Sequence, residues 1–155
     1  MTRLNTPTCL PSATLGGERA ESVSAGGQHS LALTAGGTVW SWGYNYYGET
    51  NVPAGLASVT AISAGSYHSL AVKSDGTVVG WGYNDYSQAN PPYGLTNVVA
   101  VSAGLYHSLA LKSDGTVVAW GANWSGQSRK PRPLIRRTGP KHWGKRCCWR
   151  PRGGI

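Results

Sequence analysis

The sequence predicts an all-β protein made of three copies of one short unit, and three observations support this. Residues 59–88 and 98–127 are identical at 21 of 30 positions without a gap. Each copy consists of short apolar runs separated by turns that contain glycine. One histidine, one tryptophan and one asparagine recur every 39 residues: His29, His68, His107; Trp42, Trp81, Trp120; Asn45, Asn84, Asn123. Self-similarity at a fixed period is typical of repeated structural units that stack on one another.

Composition excludes several other classes of protein. The chain has 155 residues, enough for one ordinary domain, and its 13% of charged residues is half of the usual ~25%. No apolar run approaches the ~18 residues of a membrane-spanning helix. The first twenty residues lack the apolar stretch of a signal peptide. We therefore expect neither a membrane segment nor a leader, and the compartment stays open.

Each copy predicts four short antiparallel strands, as its second occurrence illustrates. Apolar runs at 59–65, 67–73 and 77–82 are followed by a weaker segment at 88–92, where Pro92 fits an edge strand. The pair Asp75-Gly76 lies between two of these runs. Such a pair predicts a tight hairpin in which both central residues have positive φ.

Most of the strands are continuous apolar runs, which indicates that both faces of each sheet are covered. Four-stranded antiparallel sheets packed against copies of themselves are the blades of a β-propeller. A solenoid is the alternative, although its repeats are usually shorter or helical. The predicted fold is a partial β-propeller of three blades at 20–58, 59–97 and 98–134, the last one incomplete. An unassigned segment, 1–19, precedes the blades. A basic tail, 129–155, begins where the repeat register fails, after Ser128.

The second copy resembles the repeat of the regulator of chromosome condensation family. It reads Ser63-Ala-Gly-Ser-Tyr-His-Ser-Leu-Ala-Val-Lys-Ser-Asp-Gly-Thr-Val-Val-Gly-Trp-Gly-Tyr-Asn84, with glycine, histidine, Asp-Gly, Trp-Gly and asparagine at the family spacing. The resemblance covers about residues 20–128. The short period is similar to the compact bacterial repeats found in β-lactamase inhibitory proteins.

The resemblance implies a propeller of seven blades, whereas the chain holds three copies. An open arc of blades leaves an apolar sheet face at each end, which favours self-association. We therefore expect an oligomer or a piece of a larger gene product. The functions that the resemblance implies are inhibition of a secreted enzyme such as a β-lactamase, and guanine-nucleotide exchange or association with chromatin.

One end of the blades is predicted to bind a protein partner. Antiparallel succession places the turn before each histidine strand and the loop after each tryptophan strand at the same end, and the Asp-Gly hairpin at the other. The first end gathers a set of aromatic residues and one acid: Tyr44, Tyr46, Tyr47, Tyr67, Tyr83, Asp85, Tyr86, Tyr106 and Trp124. Tyrosine and tryptophan supply rigid contact area at little entropic cost. Tyr46, Asp85 and Trp124 occupy one equivalent position, so this end varies between copies. The alternative is that these rings only cover blade edges.

The repeat does not predict catalysis, a metal or a cofactor. Equivalent histidines in neighbouring sheets are ~10 Å apart, too far to share a zinc ion whose ligands lie ~2 Å from it. We predict that His29, His68 and His107 are structural and bridge backbone groups between blades. The recurring tryptophans are also predicted to be structural, and the recurring asparagines to hold the turn after each of them. The chain has no nucleophile motif, no carboxylate pair and no phosphate-binding glycine loop. We expect a protein that is not an enzyme.

The tail has a different composition from the repeats. Residues 129–155 contain ten basic side chains and no acidic ones, while residues 1–128 have a net charge of −2. A charged segment without apolar periodicity does not fold alone. Two interpretations stay open. The tail is an arm that binds nucleic acid, or the reading frame breaks near residue 129 and the tail is not a selected sequence.

Overall fold

A computed structural model of the chain describes residues 17–129 and shows nine β-strands. The strands are β1 (Ala20–Ala25), β2 (His29–Thr34), β3 (Val39–Gly43), β4 (Val59–Ala64), β5 (His68–Lys73), β6 (Val78–Gly82), β7 (Val98–Ala103), β8 (His107–Lys112) and β9 (Val117–Gly121). These residues contain no helix, and hence no helix long and apolar enough to cross a membrane. The predicted segment before residue 17 and the basic tail from residue 130 lie outside the described residues, so the nucleic-acid arm stays a prediction.

The nine strands form three antiparallel sheets of three strands each, one per copy of the repeat. Within each sheet the strands follow the order of the chain, so that the second strand of the copy lies in the middle. The register is the same in all three sheets, and each first strand carries an irregularity at the same position, for example between Val59 and Ala61. The prediction of an all-β fold built from like blades is confirmed.

The hairpin between the second and third strands differs from the predicted one. In blade two, the Gly76 N–H donates to the Lys73 carbonyl and the Lys73 N–H donates to the Thr77 carbonyl, both at 2.9 Å. Gly76 has a φ of +76°, and Asp75 is not among the residues with positive φ. This is a three-residue loop with a glycine bulge. The prediction that both central residues have positive φ was therefore wrong.

The predicted fourth strand of each blade was also wrong for the described residues. Residues 88–90 form a turn, and the Pro92 carbonyl accepts a hydrogen bond from the Leu95 N–H at 3.1 Å in a second turn. The Gln88 carbonyl receives the Ser108 hydroxyl and the Trp120 Nε1–H of the next blade, both at 2.8 Å. Because this carbonyl points towards the neighbouring sheet, the segment packs between blades instead of extending its own sheet.

The core lies between the sheets. One cluster joins Leu31 and Leu33 of the first blade to Ala71 and Trp81 of the second. The other cluster repeats this arrangement one blade later, with Leu70, Val72, Ala110 and Trp120. The middle sheet is therefore covered on both faces, as the continuous apolar character of its strands predicts.

Candidate protein-interaction rim

Buried histidines join each blade to the next. They lie at the end of the blades where the predicted rim residues are found. Nε2 of His29 lies 2.9 Å from the Ser69 hydroxyl, which donates to the Glu49 carbonyl at 3.1 Å. Since the serine proton goes to the carbonyl, the histidine must donate through Nε2–H. His68 makes the same contact with Ser108 at 2.8 Å. These two histidines therefore reach the backbone of the loop of their own blade through a serine of the next blade.

Burial keeps these histidines neutral. His29 and His68 are almost completely buried. Desolvation lowers the pKa of His68 to about 4, with smaller contributions from His107 and His29. Desolvation also lowers the pKa of His29, although the Glu49 carboxylate opposes that shift. A neutral imidazole can donate to the serine without the cost of a buried charge.

The recurring tryptophans bind the same loop carbonyls as the serines. Trp81 Nε1–H donates to the Glu49 carbonyl at 2.7 Å, and Trp120 Nε1–H to the Gln88 carbonyl at 2.8 Å. Both rings are buried between two blades, whereas Trp42 on the first blade is 50% exposed. The loop that carries the rim residues of one blade is thus attached to the next blade at two points.

The recurring asparagines close this loop from within. The side-chain oxygens of Asn45, Asn84 and Asn123 accept N–H groups five residues ahead, at 2.9, 2.9 and 3.0 Å. The residue four positions after each asparagine also folds back. For example, Glu49 Oε2 accepts the Tyr47 N–H at 2.8 Å. The aromatic side chains therefore project from a loop whose backbone has the same bonds in each blade.

The structure brings all eight predicted aromatic residues into one continuous cluster. Successive ring centroids are 4.7 Å apart between Tyr47 and Tyr83, and 4.7 Å apart between Tyr86 and Trp124. Tyr67 and Tyr106, which are equivalent residues of neighbouring blades, stack at 5.8 Å and 19°. These distances lie within the ~4.5–7 Å of favourable aromatic pairs. We call this cluster the tyrosine rim; its members are Tyr44, Tyr46, Tyr47, Tyr67, Tyr83, Tyr86, Tyr106 and Trp124.

Much of the rim stays accessible even though its rings contact one another. Tyr46 is 75% exposed and Trp124 is 66% exposed, and Tyr44, Tyr47 and Tyr86 are exposed as well. The remaining three rings, Tyr67, Tyr83 and Tyr106, are half-buried. Asp85 is exposed at the position that Tyr46 and Trp124 occupy in the other blades.

A depression of about 310 Å³ opens in the middle of the rim. Five tyrosines line it, together with Gln28, which the sequence reasoning missed. Gln28 stands 39 residues before Tyr67, so the repeat register was the signal that could have found it. The sequence prediction covers only aromatic and acidic side chains.

The tyrosine side chains around this depression are uncharged. Desolvation raises the pKa of the Tyr83 phenol well above its ordinary value, and the neighbouring Asp85 carboxylate acts in the same direction. Desolvation raises the pKa of Tyr47 too, and neighbouring tyrosines add to the shift. These two phenols therefore stay protonated and can donate hydrogen bonds. Within residues 17–129 no group of three His, Cys, Asp or Glu side chains could hold a metal ion.

The opposite end of the blades is small and charged. Lys73 Nζ lies 2.9 Å from Asp75, and Lys112 Nζ lies 3.5 Å from Asp114. Hydrogen bonds from Thr77, followed by the contact with Lys73, hold the pKa of Asp75 well below its usual range. Exposed ion pairs of this kind contribute little stability. The two ends thus differ in chemistry as the strand order predicts.

The model of the regulator of chromosome condensation (RCC1) repeat matches this chain three times, at residues 20–49, 59–88 and 98–127. The chain belongs to the regulator of chromosome condensation repeat family. The three matches begin at the three first strands and end within the loops that carry the rim. No curated protein matches the sequence significantly.

Several solved structures share the fold of this chain. Human WBSCR16 is 25% identical with a TM-score of 0.60 over 68% of this chain, and the ectodomain of the Physcomitrella patens receptor kinase CR4 is 27% identical with a TM-score of 0.64 over 80%. Prp20p from Saccharomyces cerevisiae, described with its binding to Gsp1p and histones, is 22% identical with a TM-score of 0.66 over 83% of this chain. The chain spans only about a third of each of these proteins, namely 34%, 35% and 36% of their lengths.

Proposed function

We propose that this chain is a non-catalytic protein-binding module and that the tyrosine rim is its contact surface. The observation that carries the proposal is the continuous row of eight aromatic rings across three blades, of which five are exposed. Aromatic residues concentrated in this way are typical of the parts of an interface that contribute most of the binding energy. The fold neighbour Prp20p is described as binding Gsp1p and histones, which supports a protein partner in general.

The rim is well suited to binding because its rings are held in place before a partner arrives. A tyrosine that already packs against its neighbours, as Tyr47 does against Tyr46 at 4.9 Å, loses little side-chain freedom on binding. The loop backbone beneath is fixed by Asn45 and Glu49. Each tyrosine combines an apolar ring with a polar hydroxyl group, so the rim can offer both apolar contact area and hydrogen bonds.

Capture experiments test the proposal. The immobilised full chain is compared with the double variant Tyr47→Ala/Tyr83→Ala, and bound proteins are identified by mass spectrometry. The matched control is Asp75→Ala/Asp114→Ala at the opposite end, and circular dichroism checks that each variant is folded. We expect a partner that the wild type and the control retain and the rim variant loses. A partner retained equally by all three proteins would contradict the role of the rim.

Three kinds of purified protein can be tested as partners with the same variants. Histones follow from the description of Prp20p, and a small GTPase and a β-lactamase are the partners that the family resemblance implies. Faster nucleotide release from the GTPase would indicate an exchange factor, whereas slower hydrolysis by the β-lactamase would indicate an inhibitor. In either case the effect must disappear in Tyr47→Ala/Tyr83→Ala, because the proposal places all contacts on the rim.

A further inference from the structure

The two junctions between blades are built from the same residues, so each blade has two distinct faces. The His face points to the following blade and contains, in blade one, His29, Leu31 and Leu33. The Trp face points to the preceding blade and contains, in blade two, Ser69, Ala71 and Trp81. The junction between blades two and three repeats these contacts with the equivalent residues.

Two of the faces have no further blade packed on them among residues 17–129, namely the His face of blade three and the Trp face of blade one. Leu111 on the former is 40% exposed, although its equivalents Leu33 and Val72 are 4% and 0% exposed. Trp42 on the latter is 50% exposed, whereas Trp81 is 6% exposed. Val23 on this Trp face is exposed as well, while Ala32 beside it is buried.

The open His face has the shape of a socket. An apolar depression of about 240 Å³ lies on it, and its lining includes Leu109, Leu111 and Val117. In the two internal junctions, the leucines equivalent to Leu109 are completely buried against the following Trp face. The same chain therefore shows twice which surface covers this face.

We propose that the open His face of one copy binds the open Trp face of a second copy, in the register of the internal junctions. The proposed contact concerns assembly and is independent of the proposed rim function. The polar groups on the two faces would form hydrogen bonds with each other. His107 Nε2 would donate to Ser30 of the second copy, as His29 does to Ser69. Trp42 Nε1–H would donate to the Gln127 carbonyl, as Trp81 does to the Glu49 carbonyl.

Backbone groups at the open faces complete the match. In the internal junctions the Gly27 N–H donates to the Gly65 carbonyl at 3.1 Å, and the Ala64 N–H donates to Ser24 Oγ at 3.0 Å. The equivalent groups on the open faces are the Leu105 N–H with the Gly26 carbonyl, and the Ala25 N–H with Ser102 Oγ. The apolar and the polar parts of the junction thus recur together.

A second copy joined in this way still offers one open face of each kind. The contact is heterologous, because it joins two different faces. Further copies can therefore add until the ring of blades closes or the free protein is used up. We expect the full chain to show a molar mass that increases with concentration. Sedimentation velocity and light scattering, from the micromolar to the sub-millimolar range, measure this mass.

Two substitutions, one on each face, test the head-to-tail arrangement. Leu111→Asp places a charge on the His face and leaves the Trp face intact, while Val23→Asp does the reverse. Val23 is 74% exposed, so its replacement leaves the fold of the chain undisturbed. Each variant alone should be monomeric. An equimolar mixture should form a one-to-one dimer and nothing larger, because one intact face of each kind is available.

A matched control and three outcomes complete the test. Tyr93→Asp changes a fully exposed ring in a loop outside both faces and should assemble like the wild type. The proposal is overturned if the wild type stays monomeric at all concentrations, as it would if another part of its own chain covered either face. It is also overturned if the two variants assemble like the wild type, or if their mixture stays monomeric while both are folded by circular dichroism.

Discussion

At the scale of single residues, the buried histidines make folding depend on pH. His68 is completely buried and donates to Ser108, and its pKa is lowered from 6.5 to about 4. In the unfolded chain the same imidazole titrates near 6.5. Between these two values the unfolded state binds a proton that the folded state does not, so stability is complete above pH 6.5 and decreases as the pH falls towards 4.

The corresponding measurement is the free energy of unfolding by urea between pH 7 and pH 4.5. The shift of His68 corresponds to a loss of roughly 3 kcal/mol when integrated over the whole window. His68→Gln keeps an N–H donor but removes the titration, so we expect this variant to have a flatter profile. His29→Gln should also flatten it, because the pKa of His29 is lowered too. A profile as steep as that of the wild type in both variants would contradict the assignment.

Ser87 is a second residue whose local conformation predicts a measurable effect. It has a φ of +60° in the loop of blade two, where blades one and three have Gly48 and Gly126, also with positive φ. This region is unfavourable for a residue with a Cβ atom. Ser87→Gly should therefore raise the free energy of unfolding by up to about 1 kcal/mol, the entropic cost of glycine offsetting part of the gain.

The reverse change at the equivalent position provides the control. A Cβ atom on Gly126 would have no neighbour nearer than 3.9 Å, so only its φ opposes substitution. Gly126→Ala should lower the melting temperature while Ser87→Gly raises it. Shifts of the same sign in both variants would show that φ does not decide stability in this loop.

At the scale of structural elements, the hairpins take part in packing between blades. The Gly76 carbonyl accepts the Val98 N–H at 3.0 Å, and a Cβ atom on Gly76 would lie 2.9 Å from the backbone nitrogen of Asn97. Gly115 is the equivalent residue of blade three, with a similar φ of +81°, but it has no neighbour within 4 Å. The two glycines therefore share a positive φ, which a residue with a Cβ atom adopts only with strain, and they differ in the contact with a following blade.

This pair isolates the packing of one element on another. Gly115→Ala should cost about 1–2 kcal/mol from its φ alone. Gly76→Ala should cost a further 1–3 kcal/mol, roughly, because the following strand has to move. Denaturant unfolding of both variants gives the difference. Equal losses would mean that the hairpin of blade two does not contact blade three in solution.

Sequence reasoning located the strands well and failed where an element depends on its neighbour. The apolar runs and the turn glycines predicted all nine strands, because each is a local signal repeated three times. The segment at 88–92 was predicted as a strand from its apolar and proline residues. The Gln88 carbonyl in this segment instead accepts hydrogen bonds from Ser108 and Trp120 of the next sheet. A local sequence pattern does not predict contacts with a neighbouring sheet.

At the scale of the whole molecule, the strand order was enough to predict which residues share the rim. Antiparallel succession brings Tyr47, Tyr67 and Tyr83 together although 36 residues separate the first from the last. Sequence could not predict which rings stay exposed, because this depends on the packing of one ring on another. It also missed Gln28, whose role follows from its position and not from its residue type.

The account depends on a core that lies between blades instead of within them, and one leucine in each blade tests this directly. Leu31 and Leu70 are completely buried at the two internal junctions, whereas Leu109, the equivalent residue of blade three, is only half-buried. Leu31→Ala and Leu70→Ala should each lower the free energy of unfolding by about 2–5 kcal/mol. Leu109→Ala should lower it by less than half as much when the dilute protein is unfolded by urea. Three equal losses would contradict the account, because the leucines would then be stabilised within their own sheets.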